Sequence, residues 1–261
     1  MVVLTATIRH GSCVQEKEMR PTDERRQRMP PQANDTIARR QFLRKVLSGA
    51  ATGAAISGIE VSLPQPLLAQ TPLTPDMALR ELIAGNERFD NNQLTSVEHD
   101  LKILKENTVD KQEPFAAVLA CADSRVPVEL VFDQTIGHIF VTRVAGNIVT
   151  PEIIASLEYA VAVLGVKVLL VLGHAGCGAV KAAMKADDVP GQISALYPYI
   201  QPSVEHSGGD FGKAIANNAR FQANLLRTSS TVVRDAVKAA KLRVESGVYD
   251  LATGKVTLHA R

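Results

Sequence analysis

At 261 residues, with 29 Lys and Arg against 27 Asp and Glu, the chain carries a net charge of only +2. That balance argues against a basic nucleic-acid-binding face, and the lack of Trp with 4% aromatics argues against stacking platforms for bases or sugars. A hydrophobic content of 46% and three cysteines describe a globular chain that builds its core without a disulfide framework.

Residues 1–37 are polar, with Pro21, Pro30 and Pro31 and no apolar period; they read as a disordered extension or the product of an early start codon, Met19 and Met29 being the other initiators. Residues 38–69 have the order of an export signal. Arg39-Arg40-Gln41-Phe42-Leu43 leads into a weakly apolar stretch, Val46–Ile59, and then to Ala69-Gln70. The run resembles a twin-arginine signal, with Ala38 and Arg44 as departures, and Gly49, Gly53 and Gly58 interrupt it too often for a membrane span. An amphipathic helix with two arginines is the plainer alternative. Ten basic and six acidic residues precede Gln70, so residues 70–261 carry 19 against 21, a net charge of −2. This remainder is expected to be one domain, without a stable membrane anchor, in the periplasm or an equivalent space such as a thylakoid lumen.

Thr74-Pro75 predicts a helix start, with Leu79, Leu82, Ile83 and Phe89 as its apolar stripe. Phe115–Ala120 is a continuous apolar run bounded by Pro114, the pattern of a buried strand, and Ile139–Val144 is a second, interrupted by Arg143. Thr150-Pro151-Glu152 opens another helix, Lys167–Leu172 is a third buried strand, and Ala179–Ala186 is the helix leaving it. Segments near Ile193–Ile200, Asp210–Leu226 and Val232–Ala240 read as helices, and Gly247–Leu258 as a hairpin turning at Thr253-Gly254. The expected fold class is α/β, a single domain with a mostly parallel central sheet flanked by helices.

Two of these strands stop at a turn bearing a cysteine: Ala120-Cys121-Ala122-Asp123-Ser124-Arg125 and Leu172-Gly173-His174-Ala175-Gly176-Cys177-Gly178. Ligands bind at the carboxyl ends of strands in open α/β sheets, so folding can bring Cys121, His174 and Cys177 together. Two thiolates and an imidazole suit Zn2+ and leave a fourth position for water, with Asp123 as a further candidate. The spacing of Asp123 and Arg125 lets them project to one side and pair. Each residue also has an ordinary reading. A buried Cys is a small hydrophobe, a His after a strand is a hydrogen-bonded loop residue, and Asp-Ser-Arg is a polar turn. Gly173-x-x-Gly176-x-Gly178 lacks the spacing of a dinucleotide-binding turn, and a Cys121–Cys177 disulfide in an exported binding protein is a third alternative. His99, His138 and His206 have no neighbouring Cys and receive no metal role.

Cys121-x-Asp123-x-Arg125 with His174-x-x-Cys177 resembles the zinc signature of the beta-class carbonic anhydrases. The resemblance extends over Ala84-Gly85-Asn86-x-Arg88-Phe89, Phe132-Asp133-Gln134, Phe140-Val141-x-Arg143-Val144-Ala145-Gly146-Asn147, Ser156-Leu157-Glu158-Tyr159-Ala160 and Tyr249-Asp250-x-x-Thr253-Gly254-Lys255-Val256. It implies one Zn2+ per chain on Cys121, His174 and Cys177, and a gating dyad of Asp123 and Arg125 in which Asp123 becomes the fourth ligand of a closed state. It further implies bicarbonate contacts from Gln134 and the Gly178 N–H, and a homodimer or a multiple of dimers. The implied reaction is reversible hydration of CO2 to bicarbonate and a proton by a zinc-bound hydroxide; hydrolysis of carbonyl sulfide or carbon disulfide on the same site is the alternative. Val118 stands where one subgroup has the Trp of a regulatory bicarbonate site, which implies that this site is absent, and His138 stands where relatives often have an acidic residue.

Overall fold

The computed structural model describes residues 71–96, 108–109 and 111–259, so the extension, the export segment and the Ala69-Gln70 junction lie outside the described residues. Helix α1 (Pro75–Asp90) starts as its sequence requires, with Thr74 Oγ1 accepting the Met77 N–H at 3.3 Å and Pro75 in the first turn. Strand β1 (Ala116–Ala120), the one-turn helix α2 (Val128–Val131) and strand β2 (Ile139–Arg143) follow. Next come α3 (Pro151–Ala162), β3 (Val168–His174), α4 (Gly178–Lys185) and, after a 3-10 turn at Ile193–Leu196, α5 (Tyr197–Glu205). Helices α6 (Phe211–Ser229) and α7 (Thr231–Lys238), each capped by the side chain of the preceding residue, lead to β4 (Arg243–Tyr249) and β5 (Val256–Leu258).

The strand order is β2-β1-β3-β4-β5, with the first four parallel and β5 antiparallel to β4. This is the expected α/β architecture. Alternate residues of β1 and β3 enter opposite layers. Val118, Ala120, Leu170 and Leu172 pack with Ala78 and Leu82 of α1. Ala117, Leu119, Leu169 and Val171 pack with Leu157 of α3, Ala219 and Leu226 of α6, and Val233 of α7. Burial on both faces is why these strands are continuously apolar rather than alternating.

Gly85 and Asn86 fix how α1 docks. A Cβ at Gly85 would lie 1.9 Å from the Phe132 carbonyl oxygen, so only glycine permits this approach. Asn86 Nδ2 donates to the carbonyls of Val131 (3.1 Å) and Gly254 (2.9 Å), and its Oδ1 accepts the Val256 N–H at 2.8 Å.

Two elements differ from expectation. Helix α2 is a single turn, too short to show a period. The hairpin between β4 and β5 is present, but β4 begins at Arg243 and its longest pairing is parallel, with β3. Glu245 breaks the apolar pattern there; it is buried and paired with Arg243 at 2.7 Å.

Candidate metal centre

The register of the sheet builds the site. Ala120 at the end of β1 is level with Leu172 in β3, so Cys121 leaves the sheet beside the last residues of β3, where His174 stands. The chain then turns through Gly176, at φ +71, and sets Cys177 immediately ahead of α4. The Sγ atoms of Cys121 and Cys177 are 4.0 Å apart, and these sulfurs and a His174 ring nitrogen all lie within 4.8 Å of one another, all three residues buried. Both cysteines are free thiols, so the disulfide alternative is not what this fold contains.

His174 Nδ1 lies 2.9 Å from the Ala175 carbonyl, to which it can only donate. That bond places the ring proton on Nδ1 and leaves the Nε2 lone pair directed into the site, where Nε2 is buried with no hydrogen-bond partner. The Cys177 thiol, with smaller contributions from His174 and the Gly146 N–H, outweighs burial and draws the Cys121 pKa downward. The Cys121 thiolate and burial together push Cys177 upward. Burial lowers the His174 pKa, but the neighbouring Cys121 thiolate raises it by more, so the net direction is upward. Two crowded sulfurs and an unpartnered imidazole nitrogen are a donor set that fits a borderline-soft cation such as zinc.

Asp123 and Arg125 form a forked pair, Nε to Oδ1 at 2.9 Å and Nη2 to Oδ2 at 2.8 Å, with the Arg125 N–H also on Oδ1 at 3.0 Å. Arg125 holds the Asp123 carboxyl well below the usual carboxylate range. Asp123 Oδ2 lies 3.8 Å from His174 Nε2, which places the pair beside the three donors. Gly178 opens α4, where its N–H has no partner inside the helix, and a Cβ at this position would meet nothing within 4 Å. Gln134 is placed elsewhere. Its amide donates to the Phe132 carbonyl (3.1 Å) and Glu81 (3.3 Å), in a cavity lined also by Arg88, Asp133 and His138 and by none of the three donors.

A family model described as "Carbonic anhydrase" matches residues 116–256, which contain every residue of this centre. "Carbonic anhydrase 2" of Mycobacterium tuberculosis is 32% identical over 196 residues, 70% of this chain and 92% of its own length. The carbonic anhydrase of Mycolicibacterium smegmatis is 34% identical over 197 residues, 71% and 94% of the two chains. The beta-carbonic anhydrase CcaA superimposes with a TM-score of 0.56 at 25% identity, covering 69% of this chain and 87% of its own. The chain belongs to the beta class of carbonic anhydrases. A further solved relative, the Coccomyxa beta-carbonic anhydrase in complex with acetazolamide, has a TM-score of 0.55 at 26% identity over 70% of this chain and 86% of its own.

In this carbonic anhydrase, a lyase, three contributors to the centre had no assigned role in the residue pattern. Arg143 reads as an interruption of a strand, yet its guanidinium donates to the carbonyls of Cys121 (2.9 Å) and Asp123 (2.5 Å) and so clamps the turn that carries both. A charge at the carboxyl end of an apolar strand is the signal that could have found it. The Gly146 N–H reaches Cys121 Sγ at 3.3 Å, and Asn218 donates to the Gly146 carbonyl at 2.8 Å.

Proposed function

We propose that this carbonic anhydrase hydrates CO2 reversibly at a Zn2+ held by Cys121, His174 and Cys177, with Asp123 and Arg125 orienting the attacking water. The observation that carries the reading is the buried, unpartnered Nε2 of His174 facing two sulfurs 4.0 Å apart. Zinc bound there supplies the Lewis acidity that lets water lose a proton near neutral pH.

The chain's own residues do the rest. Asp123 is anionic and gripped at both oxygens by Arg125, so it offers an acceptor fixed in direction. Accepting the water's remaining proton aims an oxygen lone pair at carbon. Turned off Arg125, the same carboxylate would reach the donor set and close the fourth position. The Gly178 N–H at the start of α4 offers a donor to a bicarbonate oxygen. Gln134, bonded to Phe132 and Glu81 in a cavity that none of the three donors lines, offers bicarbonate no contact within this one chain. Arg39 and Arg40 direct export, leaving residues 70–261 as the catalytic domain outside the cytoplasm; the order of residues supports this.

The test is metal analysis with stopped-flow CO2 hydration. The expected result is one zinc per chain, turnover abolished by chelation, and inhibition by acetazolamide, the compound held by the Coccomyxa relative. Full turnover from metal-free protein overturns the proposal.

A further inference from the structure

The Gly146 N–H that meets Cys121 Sγ is aimed by a turn that ordinary residues avoid, with Gly146 at φ +76 and Asn147 at φ 44. Two backbone bonds tie the turn locally, Val144 N–H to Ala120 O (3.1 Å) and Asn147 N–H to Val144 O (2.9 Å). A third comes from α6, where Asn218 Nδ2 donates to the Gly146 carbonyl at 2.8 Å.

Asn218 and Gln222 stand one turn apart on α6, 1% and 0% exposed, on the apolar face that also carries Ala219, Ala223 and Leu226. Their amides have only one consistent orientation. The Val149 N–H donates to Gln222 Oε1 at 2.8 Å, so Gln222 Nε2 must face the Tyr199 carbonyl (2.8 Å) and Asn218 Oδ1 (3.2 Å). Asn218 is thereby left with Nδ2 toward Gly146. Burying two amides is costly unless every group is paired, and a chain so satisfied holds its members rigidly.

We infer that Asn218 is a positioning residue for the metal centre. It holds the Gly146–Asn147 turn so that the Gly146 N–H stays on the Cys121 sulfur, drawing charge from that thiolate and leaving the metal more acidic. The inference rests on the reading of Cys121 as a metal ligand. Groups that orient a metal ligand typically cost about 10–100-fold in metal affinity or activity when removed.

The test loads the full chain with Co2+ and reads three quantities: the sulfur-to-cobalt charge-transfer band, metal affinity by chelator competition, and thermal unfolding. Asn218→Asp removes the donor at nearly unchanged size, Asn218→Ser withdraws it from reach should the first variant not fold, and Leu226→Ala destabilises the same helix away from the amides. Both Asn218 variants are expected to weaken metal binding by about tenfold or more and to move the band to longer wavelength. Leu226→Ala is expected to lower the melting temperature and move neither. Asn218 variants with the parent's band and affinity overturn the inference. A parent chain that binds Co2+ without a sulfur band overturns instead the assignment of Cys121 as a ligand.

Discussion

In the proposed mechanism Asp123 and Arg125 divide between them what a single carboxylate could not provide. The carboxylate supplies charge and an acceptor; the guanidinium, bonded to both of its oxygens, supplies direction. Losing Arg125 lets the Asp123 pKa rise toward the ordinary value of about 3.9, which still leaves it anionic at neutral pH. Charge is therefore kept and orientation lost. Arg125→Ala is expected to lower kcat by about 10–100-fold near pH 7 with zinc content unchanged, as metal analysis beside stopped-flow kinetics would record. Unchanged turnover would remove Arg125 from the mechanism. The three donors behave differently: His174→Ala deletes the one nitrogen of the set, and zinc content itself is expected to fall.

At the scale of elements, one buried carboxylate, Asp133, ties Arg88 of α1 to Thr95 and Ser96 beyond its end. Asp133 accepts from Arg88 at 2.5 Å, from the N–H groups of Thr95 and Ser96 at 2.9 Å each, and from Thr95 Oγ1 at 2.8 Å. Burial raises the Asp133 pKa, but these donors outweigh it and hold the carboxyl below the usual range. With the folded pKa depressed, the contribution to stability is present above about pH 4 and is lost as the pH falls through the folded value. Asp133→Asn keeps the shape and tolerates the residue's φ of +46. It is expected to destabilise by about 3 kcal/mol at pH 7, with the two urea-unfolding curves converging in strong acid. A difference that persists unchanged at low pH would rule out the carboxylate as the cause.

The same scale shows what the residue pattern could and could not tell. Strands β1 and β3 are readable because both of their faces are covered, and the cysteines stand out because Cys121 follows β1 directly and Cys177 lies in the short turn after β3. Gly85 and Asn86 are readable as a motif but not as a contact, since their partners lie at Phe132, Val131, Gly254 and Val256. Helix α2 has too few residues to carry a period, and β4 hides its start behind the Arg243–Glu245 pair. Asn218 looks like a polar break in a helix stripe because its partner is backbone 72 residues away.

For the molecule as a whole, the proposed metal chemistry bears on the proposed export. The sulfurs of Cys121 and Cys177 lie 4.0 Å apart only after β1, β3 and α4 have assembled. A chain threaded unfolded into an oxidising space would present both as unprotected thiols, open to disulfide exchange before a cation could hold them. Metal binding and folding are coupled, so loading in the reducing cytoplasm would keep both sulfurs as ligands. A route that carries folded protein matches this need, and the proposed signal at Arg39 and Arg40 is of that kind. Replacing both arginines, Arg39→Lys with Arg40→Lys, is expected to leave active, zinc-bound enzyme in the cytoplasm, measured by cell fractionation with zinc analysis and CO2 hydration on each fraction. Export of the double variant at the parent's level would show that these arginines do not direct the route, and a parent chain confined to the cytoplasm would remove the export signal altogether.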